Sequence, residues 1–273
     1  VSLNLERLNP NLGARIEGID LRTVDDATLA LIENALVEHK VLFFSDQHWS
    51  SVEQRRFAER FGELHVHPVF EADPEVKELV VLAYGPHRKG ANDTWHADVT
   101  FAERPLKYGI LFAEEIPPLG GDTLWLDTEA AYQALSAPVR QVLDDLYAVH
   151  TFLKSVDLTP SSHDEREEVR RRMPLPTRHP VVRTHPVTGR KSLYVNQAFT
   201  THIEGLSRLE SDYLLRLLLQ HLENPEFQMR WRWARNTVAI WDNRSTQHLA
   251  VSDYFPAPRR VRRAAVLEER RPV

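Results

Sequence analysis

The chain contains no cysteine, which excludes disulfide cross-links, thiolate-bound zinc and iron–sulfur clusters. It also lacks a basic excess: 34 lysines and arginines stand against 39 aspartates and glutamates, a formal net charge of −5. Phosphate backbones call for the opposite balance, so nucleic acid is not expected as a partner. No apolar run approaches the ~20 residues of a membrane span, and no signal-peptide pattern opens the sequence. A soluble, cytoplasmic protein that uses no membrane is therefore expected. Internal repeats and low-complexity tracts are absent, as is the helical His-Glu-x-x-His motif of many zinc hydrolases.

What is present suffices for a substantial core. With 273 residues, 42% of them hydrophobic, the sequence reads as one domain over 1–273, because β-barrel-type folds often reach ~200–250 residues undivided. Asp25-Asp26 marks a helix start that places Leu29, Ile32 and Leu36 on one face. The apolar strand Val41-Leu42-Phe43-Phe44 follows. Ser50 and Glu53 form a capping-box signature before Phe57, Phe61 and Leu64, and Ser207 and Glu210 form another before Leu214, Leu217, Leu218 and Leu222. Pro138 occupies a first helical position ahead of Val139, Val142, Leu143 and Leu146. Strand-like runs lie at 78–83, 108–113, 123–126, 192–195, 227–233, 238–241 and 260–267. Many short strands among a few helices imply a β-barrel or sandwich braced by helices. Residues 156–178, rich in Ser, Pro, Glu and Arg without an apolar period, read as a mobile surface loop.

The strongest chemical signal is His96 and Asp98 in Trp95-His96-Ala97-Asp98-Val99-Thr100-Phe101, read as a strand. Side chains two apart in a strand share a face, so an imidazole and a carboxylate can grip one cation. His248, in Trp241-Asp242-Asn243-Arg244-Ser245-Thr246-Gln247-His248, supplies a third ligand. Two histidines and a carboxylate on one face of a metal leave positions open, the ligand set of non-haem Fe(II) oxygenases. Zinc is the rival metal and a zinc-dependent hydrolase the rival enzyme. A catalytically inactive binding module would be favoured by a missing ligand, and none is missing.

Downstream lies an arginine-rich strand, Arg259-Arg260-Val261-Arg262-Arg263-Ala264-Ala265. Alternation points Arg259 and Arg263 one way, separated by roughly 13 Å, and Arg260 and Arg262 the other. Two inward guanidiniums are costly unless anions satisfy them, and their geometry suits carboxylate or sulfonate. The alternative is a basic outer face paired with acidic neighbours such as Glu268 and Glu269. The tryptophans, Trp231 and Trp233 among them, read as core packing.

Four segments, in this order, resemble the taurine dioxygenase family of Fe(II)/2-oxoglutarate oxygenases: the His96–Asp98 segment, Gly120-Gly121-Asp122-Thr123-Leu124-Trp125, His179-Pro180-Val181-Val182-Arg183-Thr184-His185-Pro186, and the segment ending at His248. The similarity runs from Gly13-Ala14-Arg15-Ile16-Glu17-Gly18 to the arginine strand. It implies a double-stranded β-helix, or jelly roll: a mainly β fold with flanking helices. It implies that His96, Asp98 and His248 bind Fe(II), and that Thr123 and Arg259 hold the distal carboxylate of 2-oxoglutarate. His67 and Arg263 match sulfonate-binding positions, and Asn92, Phe199 and Val99 match the substrate pocket. O2 is the third reactant, and a homo-oligomer, dimer or tetramer, is implied.

The implied reaction hydroxylates the carbon next to sulfur of taurine or a related alkanesulfonate, releasing sulfite and an aldehyde with succinate and CO2. Two positions depart from the taurine-specific pattern. Phe70 stands where those members carry tyrosine, and Ala91 where they carry aspartate. Both changes remove polar groups from the amine end of the substrate, where a buried ammonium without partners is costly. Val156 replaces a phenylalanine of the family, while Ser155 is retained. Longer alkanesulfonates or alkyl sulfates, the latter releasing sulfate, are the expected alternative substrates.

Overall fold

Strands whose two faces both meet apolar partners form the centre of the molecule; a computed structural model describes residues 2–90, 92–157 and 162–273. Seven strands make the larger sheet, in the order Asn4–Arg7, Ala14–Glu17, Val41–Phe44, Val238–Asp242, Leu106–Glu115, Arg259–Leu267, Leu79–Tyr84. Ala14–Glu17 pairs with Val41–Phe44 in parallel, and the other pairings are antiparallel. A three-stranded antiparallel sheet of Gln228–Trp231, Thr123–Asp127 and Thr246–Ala250 packs against it. Two sheets around a shared interior, with helices outside, make the expected jelly roll.

The period of two explains the layering. In Val41–Phe44 all four residues are buried, yet Leu42 and Phe44 join the helix-side core while Val41 and Phe43 join the core between the sheets. Val238 and Ile240 divide from Ala239 and Trp241 in the same way. Trp241 comes so close to its register partner Gly109 that a Cβ there would lie 2.1 Å from the indole. Helices Asp26–His39 and Ser51–Glu59 cover the outer face with Leu29, Ile32, Leu36 and Phe57. Asp25 accepts from Thr28 N–H at 2.8 Å, and the Ser50/Glu53 capping box is reciprocal. The helix Arg208–Leu222, with its own Ser207/Glu210 box, packs against a further three-stranded sheet of Thr200–Ile203, Tyr147–His150 and Thr177–Pro180. No helix among the described residues is long and apolar enough to cross a membrane.

Several expectations need correction. Within 156–178 a ten-residue helix, His163–Arg172, is capped by a Ser162/Glu165 box. None of its residues is buried, which is why no apolar period announced it. Residues 158–161 of that segment, and Ala91, lie outside the described residues. The helix Ala137–Leu143 begins at Ala137, so Pro138 is its second residue, and Val142 is 61% exposed. On Arg208–Leu222 the buried leucines are Leu215, Leu218 and Leu222; Leu217 faces outward with Leu209 and Tyr213. Leucine-rich stretches offer two apolar registers, and only packing decides between them.

Lys40 ends the first helix in the left-handed region, φ 64°, where glycine is usual. Its Nζ lies 2.9 Å from Asp127 and 3.3 Å from Glu129, with all three side chains buried. Asp127 also caps the helix Thr128–Ala134, so one ammonium joins the end of one helix to the start of another. Replacing Lys40 by Met strips Asp127 of its cation, leaves Glu129 only Arg190 at 3.4 Å, and should cost about 3 kcal/mol. A fall in the urea midpoint at unchanged slope would register that loss; an unmoved midpoint would show the pair to be neutral.

Candidate active site

His96 and His248 are brought together by backbone. They form an isolated antiparallel bridge, His96 N–H to His248 O at 3.1 Å and His248 N–H to His96 O at 2.8 Å. Their rings stand 4.3 Å apart between centroids. The expected strand over Trp95–Phe101 does not continue beyond this bridge: the chain turns, and Val99 takes a φ of 59°, a rare conformation for a β-branched residue. Asp98 therefore meets the imidazoles from a turn. His96 Nε2 is 3.7 Å from Asp98 Oδ1, and His248 Nε2 is 3.8 Å from Oδ2. One ligand atom from each of the three residues lies within 4.8 Å of the others.

Protonation suits a cation. His96 Nδ1–H donates to Thr94 O at 2.7 Å, which leaves the Nε2 lone pair facing Asp98. Burial pushes His96 down and His248 down to about 3, so both rings are neutral at pH 7. Burial opposes ionisation of Asp98, but Arg263, His248 and His96 outweigh it and hold the carboxyl well below the usual range. Arg263 Nη1 donates to Asp98 Oδ1 at 2.5 Å, while the buried Oδ2 has no hydrogen-bond partner among the described residues. An unpartnered anionic oxygen beside two imidazole lone pairs fits a divalent cation with open positions.

A cavity of about 870 Å³ opens from these three residues, and among its lining are His67, Phe70, Asn92, His96, Asp98, Val99, Thr123, Phe199, His248, Arg259 and Arg263, all candidates from the sequence. At one end Arg259 is 4% exposed and makes no ion pair among the described residues; its neighbours are Tyr84 and Tyr254. Thr123 Oγ1 accepts from Trp233 Nε1 at 2.9 Å, which frees its own hydroxyl proton to donate. At the other end His67 Nδ1 accepts from the N–H groups of Val69 at 3.2 Å and Phe70 at 3.1 Å. Its remaining proton is therefore on Nε2. Phe70 stacks on His67 at 4.1 Å, and Phe101, Phe152 and Phe199 extend an aromatic wall. Asn92 donates to Tyr84 OH at 3.1 Å.

Alternation correctly separated the arginines. Arg260 pairs with Glu114 at 2.7 Å on the outer side. Arg262 is buried under the helix Ser51–Glu59, bonded to Ser51 and 3.1 Å from Glu114, rather than on an open face. Glu268, expected as a partner of that outer face, instead pairs with Arg183. Trp233, Tyr84 and Tyr254 line the site unforeseen; the alternation of Trp231 and Trp233 gave only a half-buried strand.

A jelly roll with a buried two-histidine, one-carboxylate group and an unpaired guanidinium deep in the same cavity defines a non-haem metal oxygenase that takes an acidic cosubstrate. The sequence model of the taurine catabolism dioxygenase TauD, TfdA family matches residues 4–265, and the chain belongs to that family. Among characterised relatives it is 39% identical to the alpha-ketoglutarate-dependent sulfate ester dioxygenase of Pseudomonas putida, over 98% of this chain and 91% of that one. It is 40% identical to the alkylsulfatase of Acinetobacter baylyi, over 98% and 86%. The crystal structure of AAD-2 in complex with Mn(II) and N-oxalylglycine superposes with a TM-score of 0.89 at 29% identity, covering both chains fully. The protein is thus an Fe(II)- and 2-oxoglutarate-dependent dioxygenase, and the zinc hydrolase and the inactive binding module are set aside.

Burial, then Arg263 and His65, push His67 down to about 3. A depressed histidine stays neutral above that value, so raising the pH through 6.5 removes no charge from it. The substrate KM should therefore stay flat between pH 6 and 8; a rise centred near 6.5 would mean that an imidazolium is required.

Proposed function

We propose that the enzyme oxidises alkyl sulfate esters, with longer alkanesulfonates as the second substrate class and taurine disfavoured. The observation that carries this reading is the pairing of Arg263 and His67 at one end with an apolar wall of Val69, Phe70, Phe101, Phe152, Val156, Val169 and Phe199. A three-oxygen anion fits the first, and an alkyl chain the second. The cavity of about 870 Å³ lies near the top of the ~300–1,000 Å³ range of ligand sites. Phe70 gives a substrate ammonium no oxygen partner. Two relatives 39% and 40% identical to the chain, a sulfate ester dioxygenase and an alkylsulfatase, support the ester over the sulfonate.

In this reading His96, Asp98 and His248 hold the iron, and Arg259 with Thr123 holds the distal carboxylate of 2-oxoglutarate. When bound, iron and 2-oxoglutarate supply the oxidising power for C–H hydroxylation by O2, with succinate and CO2 as by-products. Arg263 supplies charge and His67 a neutral Nε2–H donor to the sulfate, fixing the ester carbon before the metal group. The aromatic wall excludes water and aligns the chain. Hydroxylation of R–CH2–OSO3⁻ gives R–CH(OH)–OSO3⁻; its C–O bond to sulfate breaks as the hydroxyl proton leaves, yielding R–CHO and hydrogensulfate. An alkanesulfonate would lose sulfite by the same collapse.

The substrate assignment is tested by measuring sulfate and sulfite release across straight-chain alkyl sulfates, alkanesulfonates and taurine. The highest kcat/KM is expected for alkyl sulfates of several carbons; a preference for taurine would overturn it. The two arginines should separate. Arg263→Ala should raise the sulfate-ester KM by about 100-fold, the loss of a charged hydrogen bond of ~3 kcal/mol, with a smaller effect on 2-oxoglutarate. Arg259→Ala should do the reverse, and matching defects would show the assignment of the two ends to be wrong.

A further inference from the structure

The two halves of the metal-binding segment are tied to one hairpin by different means. That hairpin joins strand Val238–Asp242 of the large sheet to strand Thr246–Ala250 of the small sheet through Asn243, Arg244 and Ser245. Its second strand holds His96 through the backbone bridge at His248. Its turn holds Asp98 through a side chain. The Asn243 carboxamide oxygen accepts the Asp98 N–H at 2.8 Å, and Nδ2 donates to Asp98 O at 2.9 Å and to Leu106 O at 3.2 Å. One carboxamide thereby satisfies both backbone groups of Asp98, as a neighbouring strand would. Asn243 is itself fixed, 1% exposed with its own N–H donating to Lys107 O at 3.0 Å.

A side chain does here what a strand cannot. A strand partner would continue past Asp98 and impose extended geometry on the next residue. A carboxamide ends the ladder after one residue, and the chain is free to turn at Val99, whose φ of 59° must be enforced by its surroundings. We propose that Asn243 is a positioning residue: its carboxamide stands in for a strand and fixes the Asp98–Val99 peptide. The Asp98 carboxylate then meets the two imidazoles, and Val99 forms the cavity wall. Asn243 does not line the cavity and acts through Asp98. The proposal rests on the metal assignment above, which His96→Ala tests separately: if that variant still binds Mn(II), the assignment fails, whatever Asn243 does.

Mn(II) is titrated into the enzyme without 2-oxoglutarate, free ion being followed by electron paramagnetic resonance and melting temperature measured in parallel. Asn243→Ala removes the carboxamide. The isosteric Asn243→Asp keeps an acceptor for the Asp98 N–H and loses both donations from Nδ2. Ser211→Ala is the control for lost stability alone, since it removes a buried acceptor of the Ile203 N–H, held at 2.8 Å, on the helix Arg208–Leu222. The control should melt earlier yet bind Mn(II) within about twofold of the parent. Both Asn243 variants should bind it about 10- to 100-fold more weakly, and Asn243→Asp should lower kcat more than it raises the KM for 2-oxoglutarate. Should Asn243→Ala fail to fold, Asn243→Asp decides. A folded Asn243 variant with parental Mn(II) affinity would overturn the proposal.

Discussion

The site is organised around one buried negative charge. Asp98 sits in a cavity wall where an isolated carboxylate would be neutralised by burial, and it stays ionised because Arg263 donates to Oδ1 and two imidazoles flank it. The free Oδ2 lies 3.8 Å from His248 Nε2, and His96 Nε2 lies 3.7 Å from Oδ1. A divalent cation is the species that satisfies all three at once. Arg263 faces two ways, since the guanidinium that donates to Asp98 also lines the cavity. Under the proposed function an oxyanion and a cation would share that electrostatic unit, one on each side of one arginine.

That unit needs a stiff frame, and the fold supplies it through strands buried on both faces. Val238–Asp242 lies between Val41–Phe44 and Leu106–Glu115, and it feeds directly into the turn and strand that carry Asn243 and His248. Arg259 and Arg263 come from a strand paired on both sides, with Leu79–Tyr84 and Leu106–Glu115. The spacing between the two guanidiniums is therefore set by strand geometry rather than by loop conformation. By contrast His67, Phe70, Phe152 and Phe199 come from connections between elements. The arginines of the cavity are held rigidly by their strand, and its aromatic wall is assembled from segments that tolerate change.

Much of this was legible in the residues. Capping boxes at Ser50 and Ser207 located helix starts because a serine and a glutamate three apart have few other local uses. The Arg259/Arg263 alternation followed from the pleat alone. The His96–Asp98 spacing was read as a strand, and here the chemistry held while the geometry did not. The ligands converge across a turn at Val99, and nothing local distinguishes a valine that will adopt a positive φ. The helix His163–Arg172 carries no apolar period because none of its residues is fully buried and one apolar side chain, Val169, packs against the cavity wall. On the leucine-rich helix Arg208–Leu222 the sequence offers two apolar registers, and it does not tell Leu217, which faces outward, from the buried Leu218.

The hardest residues to read were those whose role is to hold others. Asn243 is separated from Asp98 by 145 positions, and Trp233 from Thr123 by 110; neither has a ligand-like partner nearby in sequence. Their side-chain chemistry is ordinary, an amide and an indole N–H, and becomes specific only when topology delivers a backbone group or a hydroxyl to them. Candidate metal and anion ligands stand out by residue type and spacing, although His185, Asp242 and Arg244 are buried too, in a hydrogen-bonded cluster of their own. Residues that orient them leave no such trace, since a buried asparagine is equally compatible with any turn. Specificity in this cavity is thus written twice: openly in the charged groups, and silently in the amides and indoles that fix their directions.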